Sequence, residues 1–181
     1  MRNDEDIKIF HPKKANGAGS ELTELAALMD EYRRNGNMEK ATMLGEKLAT
    51  IVPEEEFPEE TAGLKNKELM QLRALMAFTA QISLHKYMPH TMLSSQAINA
   101  MYAALNASSP GFFSNISDGS SFSFYYLSVR KKGDIGKEIG KNYAMLCDRD
   151  DDPAFIALGS KVFAATEGYI YELVERFAFE E

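Results

Sequence analysis

Four groups of residues in this chain have types and spacings that can do chemistry. Lys131, Lys132, Gly133, Asp134, Ile135, Gly136 and Lys137 put amines and glycines at the start of a predicted helix, where main-chain N–H groups and the helix dipole attract phosphate. A nucleotide-binding loop needs four residues between its glycines and a Ser or Thr after its lysine. Here two residues intervene and Glu138 follows Lys137, so Lys132 and Lys137 are candidates for a simple phosphate contact only. Asp148, Asp150 and Asp152 alternate like the first half of a calcium loop. Pro153 then stands where such a loop turns on glycine, and Gly159 where it needs a bidentate glutamate. These carboxylates read instead as companions of the positive end of the last helix. His85 and His90 flank Pro89, which breaks the register between them, so they need not face one metal. Cys147 is crowded by Asp148, Asp150, Asp151 and Asp152, whose charge disfavours a thiolate, and it reads as a small buried side chain. These groups assign no catalytic residue and lead to the expectation of no metal and no cofactor.

The elements that position these residues follow from composition and period. The chain has 181 residues, 20 Lys or Arg against 27 Asp or Glu, and 45% apolar side chains, which fits one domain with its own core. The acidic balance argues against nucleic acid as a partner, because neutralising phosphates takes clustered Lys and Arg. The most apolar helical stretch, Leu72 to Leu84, is shorter than a bilayer span and carries Arg73, so no membrane partner is expected. A single cysteine suits a reducing compartment, and a cytoplasmic location is expected.

Apolar spacing predicts an all-α, single-domain bundle of about six helices. Residues 1–19 mix charges with Pro12, Gly17 and Gly19 and read as a mobile arm. A helical hairpin is predicted over 20–52, turning at Asn35-Gly36, with Asn37 capping its second helix and Pro53 stopping it. Residues 53–62, rich in Pro and Glu, form an acidic connector, and 63–181 form the remaining bundle. In that bundle, a helix from about Thr61 to Tyr87 is apolar nearly all round and must be central. Another runs from Thr91 to Asn106. The segment 108–121 is rich in Ser, Gly and Asn and reads as a loop containing Phe112 and Phe113. Phe122 to Val129 suit either a strand or a helix, and helix is preferred because no second strand is in sight to pair with. Asp134 opens a further helix, and Asp152-Pro153 starts the last one, which reaches about Phe177.

Within the hairpin, Leu28, Tyr32, Ala41 and Pro53 sit at the offsets of the signature Leu, Tyr, Ala and Pro of the tetratricopeptide repeat, so residues 22–53 resemble one such unit. Leu25, Met29 and Gly45 depart from that pattern, and no second repeat follows. The resemblance implies a lone hairpin able to dock a peptide.

The least ordinary feature is the run from Tyr87 to Val129, whose single formal charge is Asp118. Three physical situations suppress charge in this way. The Thr91 helix can be the centre of the bundle, with neighbours on every side. Its polar side can instead be an exposed interface for a protein partner or a second copy, giving a homodimer. The third is a pocket for a neutral small molecule, lined by Asn99, Tyr102, Phe112, Phe113, Tyr125 and Tyr126 under the 108–121 loop. The expectation is a noncatalytic protein-interaction or self-assembly module. Its rival is a ligand-binding protein or enzyme with a pocket at that loop.

Overall fold

The computed structural model describes residues 18–52, 63–131 and 133–180. Most of the predicted arm, the acidic connector and Lys132 therefore lie outside the described residues. Those described form an all-helical bundle of eight helices, with no strand among them. In chain order these are α1 (Ala18–Arg34), α2 (Asn37–Ile51), α3 (Asn66–Tyr87), α4 (Thr91–Ser108), α5 (Pro110–Ser117), α6 (Ser120–Val129), α7 (Ile135–Leu146) and α8 (Pro153–Phe177).

The centre is α3. Leu72, every residue from Ala74 to Ala80, Ser83 and Leu84 are buried, as its all-round apolar character requires. Around it pack α8, α6, α4 and α7. Lys67 pairs with Asp148, Arg149 Nε reaches Glu68 Oε1 at 3.3 Å, and Lys86 Nζ reaches Glu167 Oε1 at 2.8 Å, each pair 81 positions apart. A constant offset means that α3 and α8 run parallel.

A second parallel pair is α2 with α4. Gln96 Nε2 donates to Thr42 Oγ1 at 2.9 Å, and three residues further along α2, Gly45 meets α4. A Cβ on Gly45 would stand inside contact with Ala97 O and 2.9 Å from both Ala100 Cβ and Met101 N. Glycine is therefore what brings these two helices together. Gly140 does the same between α7 and α8, where a Cβ would collide with Ile156 O. One turn before it, Gly136 O accepts from Ser160 Oγ at 2.9 Å.

Two local expectations are corrected. The segment 108–121 is not a loop but contains α5. Pro110 occupies the first turn, where its fixed φ suits a helix and its missing N–H costs no bond, and Phe112 and Ile116, one turn apart, bury the same face. Its Ser and Gly content conceals that spacing. Asp118, the lone charge of the run, then accepts the Ser120 N–H and hydroxyl at 2.9 Å each, which holds its carboxyl below its ordinary pKa. The second correction is Asn37. Gly36, left-handed at φ 82°, takes the cap position of α2, and Asn35 Oδ1 accepts the Asn37 N–H at 3.1 Å.

Asn37 itself is fully buried and holds the tail that follows α8. Its Nδ2 donates to Glu180 O at 2.7 Å, and its Oδ1 accepts the Glu180 N–H at 3.0 Å. Lys40 Nζ adds a bond to Ala178 O at 2.8 Å. The tail after α8 is thereby tied to the start of α2.

By contrast, α1 has little support. It packs chiefly on α2, while α2 commits most of its buried face to α4. Tyr32 anchors its C-terminal end, with its ring 5.7 Å from that of His90. Towards the N-terminal end the apolar stripe emerges, with Leu22 68% and Leu25 51% exposed.

Candidate functional site

The Thr91 helix is not surrounded on every side. Leu93, Ser94, Ala97, Ile98, Met101 and Leu105 of α4 are buried, but Thr91, Ser95, Asn99, Ala103 and Asn106 face solvent. Suppression of charge there is a property of an exposed surface, which the core does not impose.

The six aromatic and amide candidates fall into three places. Phe112 and Tyr125 are core side chains, buried to 7% and 0% exposure. Tyr102, Phe113 and Tyr126 gather over α3. Tyr102 Oη donates to Gln81 Oε1 at 2.6 Å, Gln81 Nε2 donates to Tyr126 Oη at 2.6 Å, and the Tyr102 and Phe113 rings meet edge-on at 6.2 Å. Phe78 packs under them, against Phe122, Tyr125 and Tyr126 at 5.0–5.5 Å. Burial pushes the Tyr102 phenol up from its ordinary pKa, so at neutral pH it is a hydrogen-bond donor and no base. Gln81, which links the two tyrosines, is the member of this group that sequence reasoning missed. Tyr102 and Tyr126 satisfy their hydroxyls through Gln81, the buried Tyr125 hydroxyl has no hydrogen-bond partner among the described residues, and the helix α5 stands where a covering loop was expected.

Asn99 belongs elsewhere. With His90, Ser95 and Gln96 it forms the polar side of a groove of about 400 Å³ between α1 and α4, whose apolar wall is Leu25, Met29, Met38 and Met92. Among the described residues, the lining holds no Asp, Glu, Lys or Arg. Met76, Met88 and Met101 are core, and Met92 reaches this groove. Leu25 and Met29 were readable as an apolar stripe of α1. That the stripe outruns its partner was not readable, because it follows from α2 turning its own packing face to α4.

The remaining chemical candidates are occupied by structural work. Asp134 Oδ1 accepts the Lys137 N–H at 3.0 Å, so a carboxylate of the chain itself takes the anion position of α7, and Lys137 is exposed. Lys131 and Lys141 both bond Glu138, at 3.0 and 2.6 Å, which holds its carboxyl at about 2. Burial pushes the Cys147 thiol up to about 11, helped by the Glu68 charge and opposed by a bond from Tyr143. His85 Nδ1 lies 3.2 Å from Ser94 Oγ, and His90 Nδ1 accepts the Met92 N–H at 3.1 Å, so the two histidines serve different ends of the same corner. Among the described residues, no cluster of three His, Cys, Asp or Glu side chains is placed to hold a metal ion. No helix among them is long and apolar enough to cross a membrane.

Compared with known proteins, the chain matches no family model, no curated protein and no solved structure. Support for a function therefore comes from its own geometry.

Proposed function

We propose that this protein is a noncatalytic interaction module that associates with a second copy of itself through the uncharged face of α1 and α4. The observation that carries the proposal is the groove beside Leu25, whose described lining residues carry no formal charge in a chain of net charge -7. A two-fold axis sets each patch against its own copy, so a charged patch would face like charge, and an uncharged one avoids this. The same surface also offers both halves of a fit. Leu22 and Leu25 stand out from α1, and Met29, Met38 and Met92 make an adaptable groove next to them.

The energetics of such a dimer are close to balance. Burying a leucine contributes about 1.5–3 kcal/mol when the whole side chain leaves water, so Leu22 and Leu25, half to two-thirds exposed, contribute about 1–2 kcal/mol each. Four such leucines supply about 4–8 kcal/mol, against an association cost of about 4–15 kcal/mol, so the methionine contacts decide the balance. The test is Asn99→Arg, which adds one cation per copy to the exposed face without touching the core. Self-association measured by light scattering is expected to fall while the melting temperature holds. An unchanged association constant in this variant would remove the α4 face from the proposal.

A further inference from the structure

We infer that the cleft between the start of α2 and the end of α8 is a peptide-binding slot, filled by the chain's own tail as an intramolecular ligand. When the tail leaves, the slot fits an extended segment of a partner protein that carries an aromatic side chain. Asn37 Nδ2 donates to Glu180 O at 2.7 Å, Asn37 Oδ1 accepts the Glu180 N–H at 3.0 Å, and Lys40 Nζ donates to Ala178 O at 2.8 Å. Each of these bonds ends on the main chain of the tail. They fall on alternate residues, the pattern by which a peptide is read through its main chain while the side chain between supplies specificity. That side chain is Phe179, half-buried against the core and stacked on Phe177 with ring centres 6.3 Å apart.

Two observations set this contact apart from an ordinary helix end. First, the Asn37 side chain is fully buried yet does nothing for its own helix, because Gly36 takes the cap position and Asn35 Oδ1 accepts the Asn37 N–H at 3.1 Å. A buried amide needs partners for both its oxygen and its nitrogen. Here both face a single residue of the tail, and any residue except proline offers the same N–H and C=O. Second, the tail reaches the slot only through a left-handed turn at Ala178, φ 47°. A residue with a Cβ adopts that conformation at an energetic cost. A segment arriving from outside makes the same bonds without the turn. The tail holds its place because it is tethered, at an effective concentration on the order of millimolar. Weak partners are therefore excluded until the tail is released.

The test is fluorescence polarisation of a labelled synthetic peptide that copies residues 175–181, titrated with the full chain. Ala178→Pro cannot take a positive φ, so its tail leaves the slot while Asn37 and Lys40 stay as they are. Glu180→Pro removes the N–H that Asn37 Oδ1 accepts and leaves α8 untouched. Both variants are expected to keep the helical circular dichroism of wild type and to bind the peptide at least about tenfold more tightly than wild type, whose tail competes. One modified peptide is N-methylated at the nitrogen matching Glu180, and another has serine for the phenylalanine matching Phe179. Each is expected to bind the opened variants about tenfold more weakly than the parent peptide. None of these readouts needs the α1–α4 association. Folded variants that bind no peptide, or that bind the N-methylated peptide as well as the parent, overturn the slot. Loss of the helical signal in both variants makes the tail a structural strap and overturns it too. Dimers of either variant that the peptide dissociates assign the slot to the tail of a second copy and overturn the partner reading.

Discussion

Replacing Gly45 with alanine tests the packing that fixes the α2–α4 pair. Two effects of opposite sign compete. Alanine is a better helix former than glycine by about 1 kcal/mol, which favours the variant. Against this, the new methyl would lie inside contact with Ala97 O and 2.9 Å from Ala100 Cβ and Met101 N. Two of those three atoms are backbone, so no rotamer change relieves the clash and the helices must part. Overpacking of this kind costs about 3 kcal/mol, the upper end of the usual range, leaving a net loss of about 2 kcal/mol. For a chain of this length that lowers the melting temperature by about 4–8 °C. The matched control is Gly168→Ala in the middle of α8, where a Cβ meets nothing within 4 Å. There only the propensity remains, and a gain of about 0.5–1 kcal/mol is expected. Urea unfolding of both variants, followed by circular dichroism, gives the comparison. If Gly45→Ala is as stable as wild type or gains as Gly168→Ala does, the close approach of α2 and α4 is refuted.

Asn37→Ala removes both bonds to the Glu180 main chain from a buried position and is expected to cost about 1–3 kcal/mol. It is also expected to speed release of the last residues by carboxypeptidase, and an unchanged release rate would sever the link between α2 and the tail. Glu138, whose carboxyl is held at about 2 by Lys141 and Lys131, contributes stability that is present above its ordinary value of 4.5 and lost as pH falls from there to about 2. In a Glu138→Gln series the difference from wild type is therefore expected at neutral pH and to vanish near pH 2, and a difference constant with pH would contradict the ion pairs.

Most of the bundle was legible because its signals are local. Asp152-Pro153 marks the start of α8, where Asp152 Oδ1 accepts the Ala154 N–H at 2.9 Å, and the all-round apolar α3 could only be central. The boundary between α5 and α6 was obscured because serine, glycine and asparagine are turn formers by composition, while the decisive signal is the pairing of Phe112 with Ile116. What no local signal carries is the pairing of helices. Gly45 departs from the tetratricopeptide pattern, and that departure marks the contact that draws α2 to α4 and leaves α1 uncovered. The candidate site was half readable for the same reason. Asn99 and Met92 stand in the uncharged run, but Leu25, Met38 and His90 join them only once α1, α2 and α4 are brought together.

Two copies of this chain are proposed to meet through the α1–α4 face. Sedimentation velocity on wild type and Leu25→Lys from about 1 to 100 μM, the span in which a weak dimer forms, measures it directly. Leu25 is 51% exposed, so the substitution spares the core while setting a charge against its own copy. Wild type is expected to shift towards the dimer across that range while Leu25→Lys stays monomeric. A wild type that stays monomeric throughout, or a variant that dimerises as well as wild type, would rule out self-association through this face.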